Sequence, residues 1–258
     1  MLPLFINFTV NIKHLLSMLT SVNCIALNTI KYSDKHSILS AYSLELGYMS
    51  FLVPVGDGKE ARRRKAMLMP LSMFHCVADI RVGRDINVMR DLSTDMVLSD
   101  IHFHPVKSSI SFFISEILSV ILREYQEDKK LYYFLQDSLQ MLNSINKGIS
   151  NFHICFLVKL IRYLGLEPDY STYKKGAIFD YAEGLFRSTP PLHTHFLSIE
   201  DSEILYKLSR MKFENMYCFK FSRMERQQIL DALLRYYAMH YNAISTLSSL
   251  DVLKELFD

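Results

Sequence analysis

Five of the seven positions from Lys59 to Lys65 are cations: Lys59, Arg62, Arg63, Arg64 and Lys65. Three consecutive guanidiniums repel one another, and their planar donors suit phosphate oxygens. The chemistry on offer is capture of a polyanion by Coulomb attraction, not the making of bonds. Arg81, Arg84 and Arg90 follow within the next thirty residues and are expected to extend the charge. Contacts of this kind hold a nucleic-acid backbone without reading its bases. The competing account is a solvated turn that serves solubility alone.

Other chemistry-bearing residues are fewer. His102/His104 and His193/His195 are His-x-His pairs, which share a face when extended and so could hold a metal. Asp100 would join the first pair on that face, while nothing comparable flanks the second. Packing in a loop or core is the plainer reading, and no metal or other cofactor is expected. There is no Gly-x-Ser-x-Gly elbow, no phosphate loop ending in Lys-Ser/Thr and no His-Glu-x-x-His. Asp79 and Asp85 make no convincing acid–base pair, so no catalytic residue is assigned. A hydrolase or metalloenzyme would require stoichiometric metal in the purified protein.

A third candidate is "NFHICFLVKLIRYLGLEP", in which Phe152, Phe156, Leu160 and Tyr163/Leu164 line one apolar side, with Lys159 and Arg162 beside it. The plain reading is a core helix. The functional one is a groove wall that takes a partner's apolar end group and offers a cation to its carboxylate.

These residues need a scaffold, and the sequence has two halves with different periods. Residues 18 to about 95 favour strands. Val22, Cys24 and Ala26 point one way, and Ile25, Leu27 and Thr29 the other. "HSILSAYSLELG", "GYMSFLVPV", "MPLSMFHCVADIRVG" and "DINVMRDLS" supply four more strands, with the cationic run as a loop between the third and fourth. Five short strands in so little chain suggest a small closed barrel. Tyr32, Tyr42, Tyr48 and Phe51 are its candidate base-stacking aromatics, though each alone is more simply a core residue.

From Pro105 the period becomes helical, with Ile110, Phe113, Ile114, Ile117, Leu118 and Ile121 on one face and Ser108, Ser111, Ser115 and Ser119 on the other. Helices are expected at "KKLYYFLQDSLQMLNSI", at "NFHICFLVKLIRYLG", from Ser198, from Ser222 to about Tyr241 and from about Ser248. An irregular excursion occupies about 167–197. The expected class is α+β, with a five-stranded barrel at 18–98 and an all-helical domain at 99–258. Residues 1–17 are read as a dispensable extension that ends before a second methionine, Met18.

Composition bounds the function. Lys plus Arg number 29 against 27 Asp plus Glu, so any nucleic-acid contact must come from a local patch. Half the residues are apolar, which excludes a disordered chain. Cys24, Cys76, Cys155 and Cys218 are too far apart for a zinc pair or a disulfide framework and read as reduced thiols in a cytoplasmic protein. The apolar start is too interrupted to span a bilayer.

Taken in order, the segments resemble the RecO family of bacterial recombination mediators. In "ALNTIKYSDKHSILSAYSLELGYMSFLV", Tyr32, Asp34, Ile38, Leu39 and Gly47 fill the places of that family's opening barrel. "KSSISFFISEILSVILRE" is similar to its first long helix and "NFHICFLVKLIRYLGLEP" to its helix ending in Leu-Gly. "FDYAEGLF", "PPLHTHFLS" and "SLDVLKELF" follow in the family's order, so that the resemblance covers about residues 20–258.

The resemblance implies an OB-fold barrel and a helical domain that bind single- and double-stranded DNA and anneal complementary strands. It also implies association with RecR and with the acidic, phenylalanine-ended tail of single-stranded DNA-binding protein (SSB). Together these would load RecA onto coated strands in the cytoplasm, at the nucleoid. Some relatives hold zinc on four cysteines after the Leu-Gly helix, but residues 166–200 contain no cysteine. Some place an arginine near the start of that helix, where this chain has Asn151, Phe152, His153 and Ile154, leaving Lys159 or Arg162 to substitute or the tail to bind elsewhere. The alternative from a different class is an adaptor whose barrel and bundle bind only proteins.

Overall fold

A computed structural model describes residues 17–81, 83–241, 244, 247 and 249. The proposed extension before Met18 and the helix proposed from about Ser248 lie almost wholly outside these residues. The chain divides into two compact units between Met96 and Val97, and its class is α+β.

The first unit holds β1 (Ser17–Lys31), β2 (His36–Ser43), β3 (Gly47–Pro54), α1 (Lys59–Met67), β4 (Met73–Arg81) and β5 (Ile86–Met96). The strands pair in the order β1-β2-β3-β5-β4, and β4 returns to β1, closing a barrel. All pairs are antiparallel except β3 with β5. Alternation decides what lies inside. Val22, Cys24, Ala26, Leu39, Ala41, Met49, Phe51, Phe74, Cys76 and Ala78 form one buried cluster. In β3 every second residue is buried, so Phe51 enters the core while Tyr48 stays half-buried. Burial pushes the Cys24 thiol well above its ordinary value, so it fills space as a neutral group.

The segment expected as a cationic loop is instead the helix α1. Its sequence, KEARRRKAM, has no β-branched residue, Gly or Pro, and every residue in it is a good helix former. Gly58 provides the extended N-cap. No residue of α1 is buried, and the chain re-enters the barrel core at Leu68, just past the helix end.

The second unit contains α2 (Ser99–Phe103), α3 (Pro105–Ile121), α4 (Lys129–Ser144), α5 (Phe152–Tyr163), α6 (Ile199–Leu208) and α7 (Arg223–His240). Pro105 opens α3. Asp128 caps α4 by accepting from the amides of Lys130 and Leu131, and Ser222 with Glu225 closes a capping box on α7.

Two expectations are corrected in this unit. Ser111 and Ser115 are buried, not on an outer polar face, because each hydroxyl donates to a carbonyl three residues back and needs no water. The excursion is not irregular throughout, and the unit is not wholly helical. Ile178–Asp180 (β6) pairs with Leu185–Arg187 (β7), across a turn in which Gly184 takes a φ of 66° that other residues resist.

Candidate nucleic-acid interface and partner groove

Helix α1 turns a linear run of charge into a surface. Lys59, Arg62, Arg63 and Lys65 are exposed and Arg64 is half-buried. Among the described residues, none of the five pairs with a carboxylate. The Arg64 guanidinium donates to the Pro54 carbonyl at 3.3 Å, which ties the helix to the end of β3. Glu60 in the first turn and Arg64 and Lys65 in the last complement the helix dipole.

The structure brings Arg63, Arg64 and Arg90 together. They line a groove of ≈ 280 Å³ between α1 and β5, with Met67 and Met89 among its apolar walls and Glu60 and Asp91 lining it too. Asp91 sits in the bulge of β5 with a φ of 50°. Sequence reading overlooked both carboxylates, because charge counting along the chain does not reveal which side chains share a wall.

Arg81 and Arg90 are not free cations. Both converge on Asp79, whose Oδ2 lies 3.1 Å from Arg81 Nη2 and 3.4 Å from Arg90 Nη2. The hydrogen bond from Arg81 holds the Asp79 carboxyl below the usual carboxylate range, and the charges of Arg90 and Arg84 add to this. Arg84 is exposed in the β4–β5 connection. Of the candidate stacking aromatics, Tyr42 and Phe51 are fully buried, and Tyr48 Oη donates to Ser40 Oγ. Tyr32 alone of the four is well exposed, at 64 %.

The groove residues of the second unit divide into two pairs. Phe152 and Phe156 are buried and do not line a surface. Phe152 stacks on Phe213 at 5.0 Å, and Phe156 on Phe134 at 5.5 Å. Phe134 and Phe213 in turn line a groove of ≈ 760 Å³ together with Lys159, Arg162, Tyr133 and Tyr163. The two inner rings therefore support the groove from behind. Lys159 Nζ lies 5.7 Å from the Phe213 centroid, and Arg162 pairs loosely with Glu167 at 3.8 Å. Tyr133, Phe134 and Phe213 went unrecognised because α4 and the 209–214 loop are separate in sequence from α5. At the start of α5, Asn151 spends its amide on the carbonyls of Met216 and Phe219.

The histidine pairs do not adopt the geometry that metal binding needs. His102 lies in α2 and His104 precedes α3, so the segment is helical where a strand was required. Asp100 instead meets the buried Lys107, whose Nζ also donates to the Asn143 carbonyl at 2.7 Å. The second pair does have a neighbouring carboxylate: buried Asp180 accepts from Arg187 Nε at 3.0 Å, with His193 Nε2 at 3.4 Å. Among the described residues, no three His, Cys, Asp or Glu side chains converge as metal ligands, and no helix is long and apolar enough to cross a membrane.

Comparison with known proteins gives this arrangement a context. The family model described as "Recombination protein O C terminal" matches residues 102–249. The chain is 36 % identical over 241 residues to a protein named DNA repair protein RecO from Azobacteroides pseudotrichonymphae, across 93 % of this chain and all of that one. Its namesakes from Phocaeicola vulgatus and Porphyromonas gingivalis W83 are 36 % and 33 % identical, again across 93 % of this chain and their whole length. The chain belongs to the RecO family of DNA repair and recombination proteins.

Proposed function

We infer that this protein is a non-enzymatic mediator of DNA repair and recombination. It binds single- and double-stranded DNA through the cationic face of its barrel and anneals complementary strands. With RecR, it helps to load RecA onto strands coated by SSB. The observation that carries the reading is α1, where five cations stand on one short exposed helix without carboxylate partners among the described residues.

A five-stranded closed barrel with a helix between its third and fourth strands fits an OB-fold, a scaffold that suits oligonucleotides. Phosphate contacts position a strand of any sequence, which is what annealing requires. The α4–α5 groove combines aromatic walls with Lys159 and Arg162, which suits the acidic, phenylalanine-ended tail of SSB. Work of this kind needs binding, not bond chemistry, and belongs in the cytoplasm at the nucleoid.

The test is titration of a fluorescent single-stranded oligonucleotide at two salt concentrations. With three to five cations on phosphates, log Kobs against log salt should have a slope of about −2 to −3.5. Absent or salt-independent binding overturns the reading. One observation favours the protein-only adaptor: Asp79 already offsets Arg81 and Arg90. That reading predicts capture of the acidic tail with no affinity for the oligonucleotide.

A further inference from the structure

The second unit carries a surface that the α4–α5 groove does not include. Tyr173 follows a 3-10 turn at Tyr170–Thr172, and Tyr206 lies in the last turn of α6. Their rings stack with centroids 3.8 Å apart and planes 10° from parallel. Arg210, one turn past Tyr206, sets its guanidinium 5.4 Å from the Tyr206 centroid, and its Nη2 donates to Tyr206 Oη at 3.3 Å. Arg210 is exposed, so the stack reaches the surface as a guanidinium.

Lys174 and Lys175 come directly after Tyr173, and both are exposed. Lys175 acts electrostatically on Glu203 of α6, the carboxylate that Lys207 contacts at 2.7 Å. The loop and the helix thus come together at Glu203, which Lys175 and Lys207 share, with Arg210 three residues past Lys207. Packing accounts for the rings, which pin the loop to α6 with Phe186 against the edge of Tyr173. It does not account for two adjacent exposed lysines on the loop that it pins, since neighbouring like charges repel.

We propose that this face is a second contact for single-stranded nucleic acid. Lys174 and Lys175 hold phosphates, and a base lies on the Arg210 guanidinium beside the Tyr173–Tyr206 stack. The proposal rests on the reading that the protein binds DNA through α1, and it adds what one contact cannot supply. Two strands held on one molecule meet at a raised effective concentration.

The experiment uses the full chain and labelled oligothymidylate, which cannot pair with itself. Three variants are compared with the intact protein: Lys174→Gln/Lys175→Gln/Arg210→Gln, Arg62→Ala/Arg63→Ala/Arg64→Ala, and all six together. All three positions of the first variant are exposed, so its melting temperature should match that of the intact protein. Its affinity should fall about tenfold, and loss of two phosphate contacts should flatten the log–log salt slope by about 1.4. The α1 variant should keep residual, salt-sensitive binding that the six-fold variant loses. Unchanged affinity and slope in the first variant overturn the proposal, as does complete loss of binding in the α1 variant while this face is intact. If the intact protein binds no oligothymidylate, the DNA-binding reading fails and this inference fails with it.

Discussion

Arg90 Nη2 and Arg81 Nη2 meet the same oxygen, Oδ2 of Asp79, at 3.4 and 3.1 Å. The Asp79 side chain is only 5 % exposed, whereas both arginines reach solvent. One nearly buried carboxylate therefore restrains two of the cations assigned to DNA. Asp79→Asn removes that restraint and should tighten oligonucleotide binding, steepening the salt slope by up to about 1.4 if each arginine then meets a phosphate. Unchanged binding would place Arg81 and Arg90 off the path of the strand. The same carboxylate makes stability sensitive to acid. Its folded pKa lies below the ordinary value, so the contribution is full above about pH 4 and is lost as pH falls through the depressed value. Asp79→Asn should show a shallower acid unfolding curve by circular dichroism.

Arg62→Ala/Arg63→Ala/Arg64→Ala isolates the charge of α1. Alanine is the strongest helix former, and α1 buries no residue, so the helix and the melting temperature should survive. Among the described residues, only the bond from Arg64 to the Pro54 carbonyl is lost. Single-strand affinity should drop and the salt slope should shrink by about 2, in proportion to three lost phosphate contacts. Retained affinity would show that the triple arginine serves solubility.

The barrel was legible because alternation in β1 and β3 assigns faces directly: Val22, Cys24 and Ala26 point inward together, as parity requires. The same parity separates Phe51 from Tyr48. Helix α1 was missed because a charge run between strands reads as a turn, although KEARRRKAM lacks any strand or turn former. The cations of the site were therefore visible while their restraint by Asp79 was not. Pairing across β4 and β5 puts Arg90 two residues from the Asp79 register, and only the folded sheet makes them neighbours. The groove behaved likewise. Periodicity gave the apolar side of α5, but burial turned Phe152 and Phe156 inward and left the groove wall to Phe134 and Phe213, which come from other elements.

His153 in α5 gives the second unit an acid sensitivity of its own. It is fully enclosed against the edge of Phe113, and burial, helped by the charge of Arg226, lowers its pKa to about 3. The unfolded chain titrates this group near 6.5. Between those values the unfolded state binds the extra proton, so stability falls as pH drops from about 6.5 toward 3 and is unaffected by this group above 6.5. From pH 6.5 to 4.5 the loss is on the order of 2–3 kcal/mol. Urea midpoints measured at pH 7 and 4.5 should therefore differ clearly in the intact protein and much less in His153→Gln. Equal pH dependence in both would mean that another group carries the effect.

Lys159 and Phe152 lie on the same helix but should fail differently when changed. Phe152 is buried against Phe213, so Phe152→Ala empties core volume and should cost about 3–5 kcal/mol of stability. Peptide binding would then decline only as the groove floor collapses. Lys159 and Arg162 stand at the groove itself, over the Phe213 ring and beside Glu167. Arg162→Glu should leave the melting temperature nearly unchanged, because a solvated charge contributes little to folding, and Lys159→Glu, at a half-buried residue, should lower it only modestly. Each should weaken binding of an acidic peptide ending in phenylalanine about tenfold or more, since a charged hydrogen bond becomes a repulsion. Fluorescence anisotropy of the labelled peptide measures this directly. If both charge reversals bind like the intact protein while Phe152→Ala, still folded at low temperature, does not, the carboxylate must be held elsewhere. The α4–α5 groove would then take only an apolar side chain.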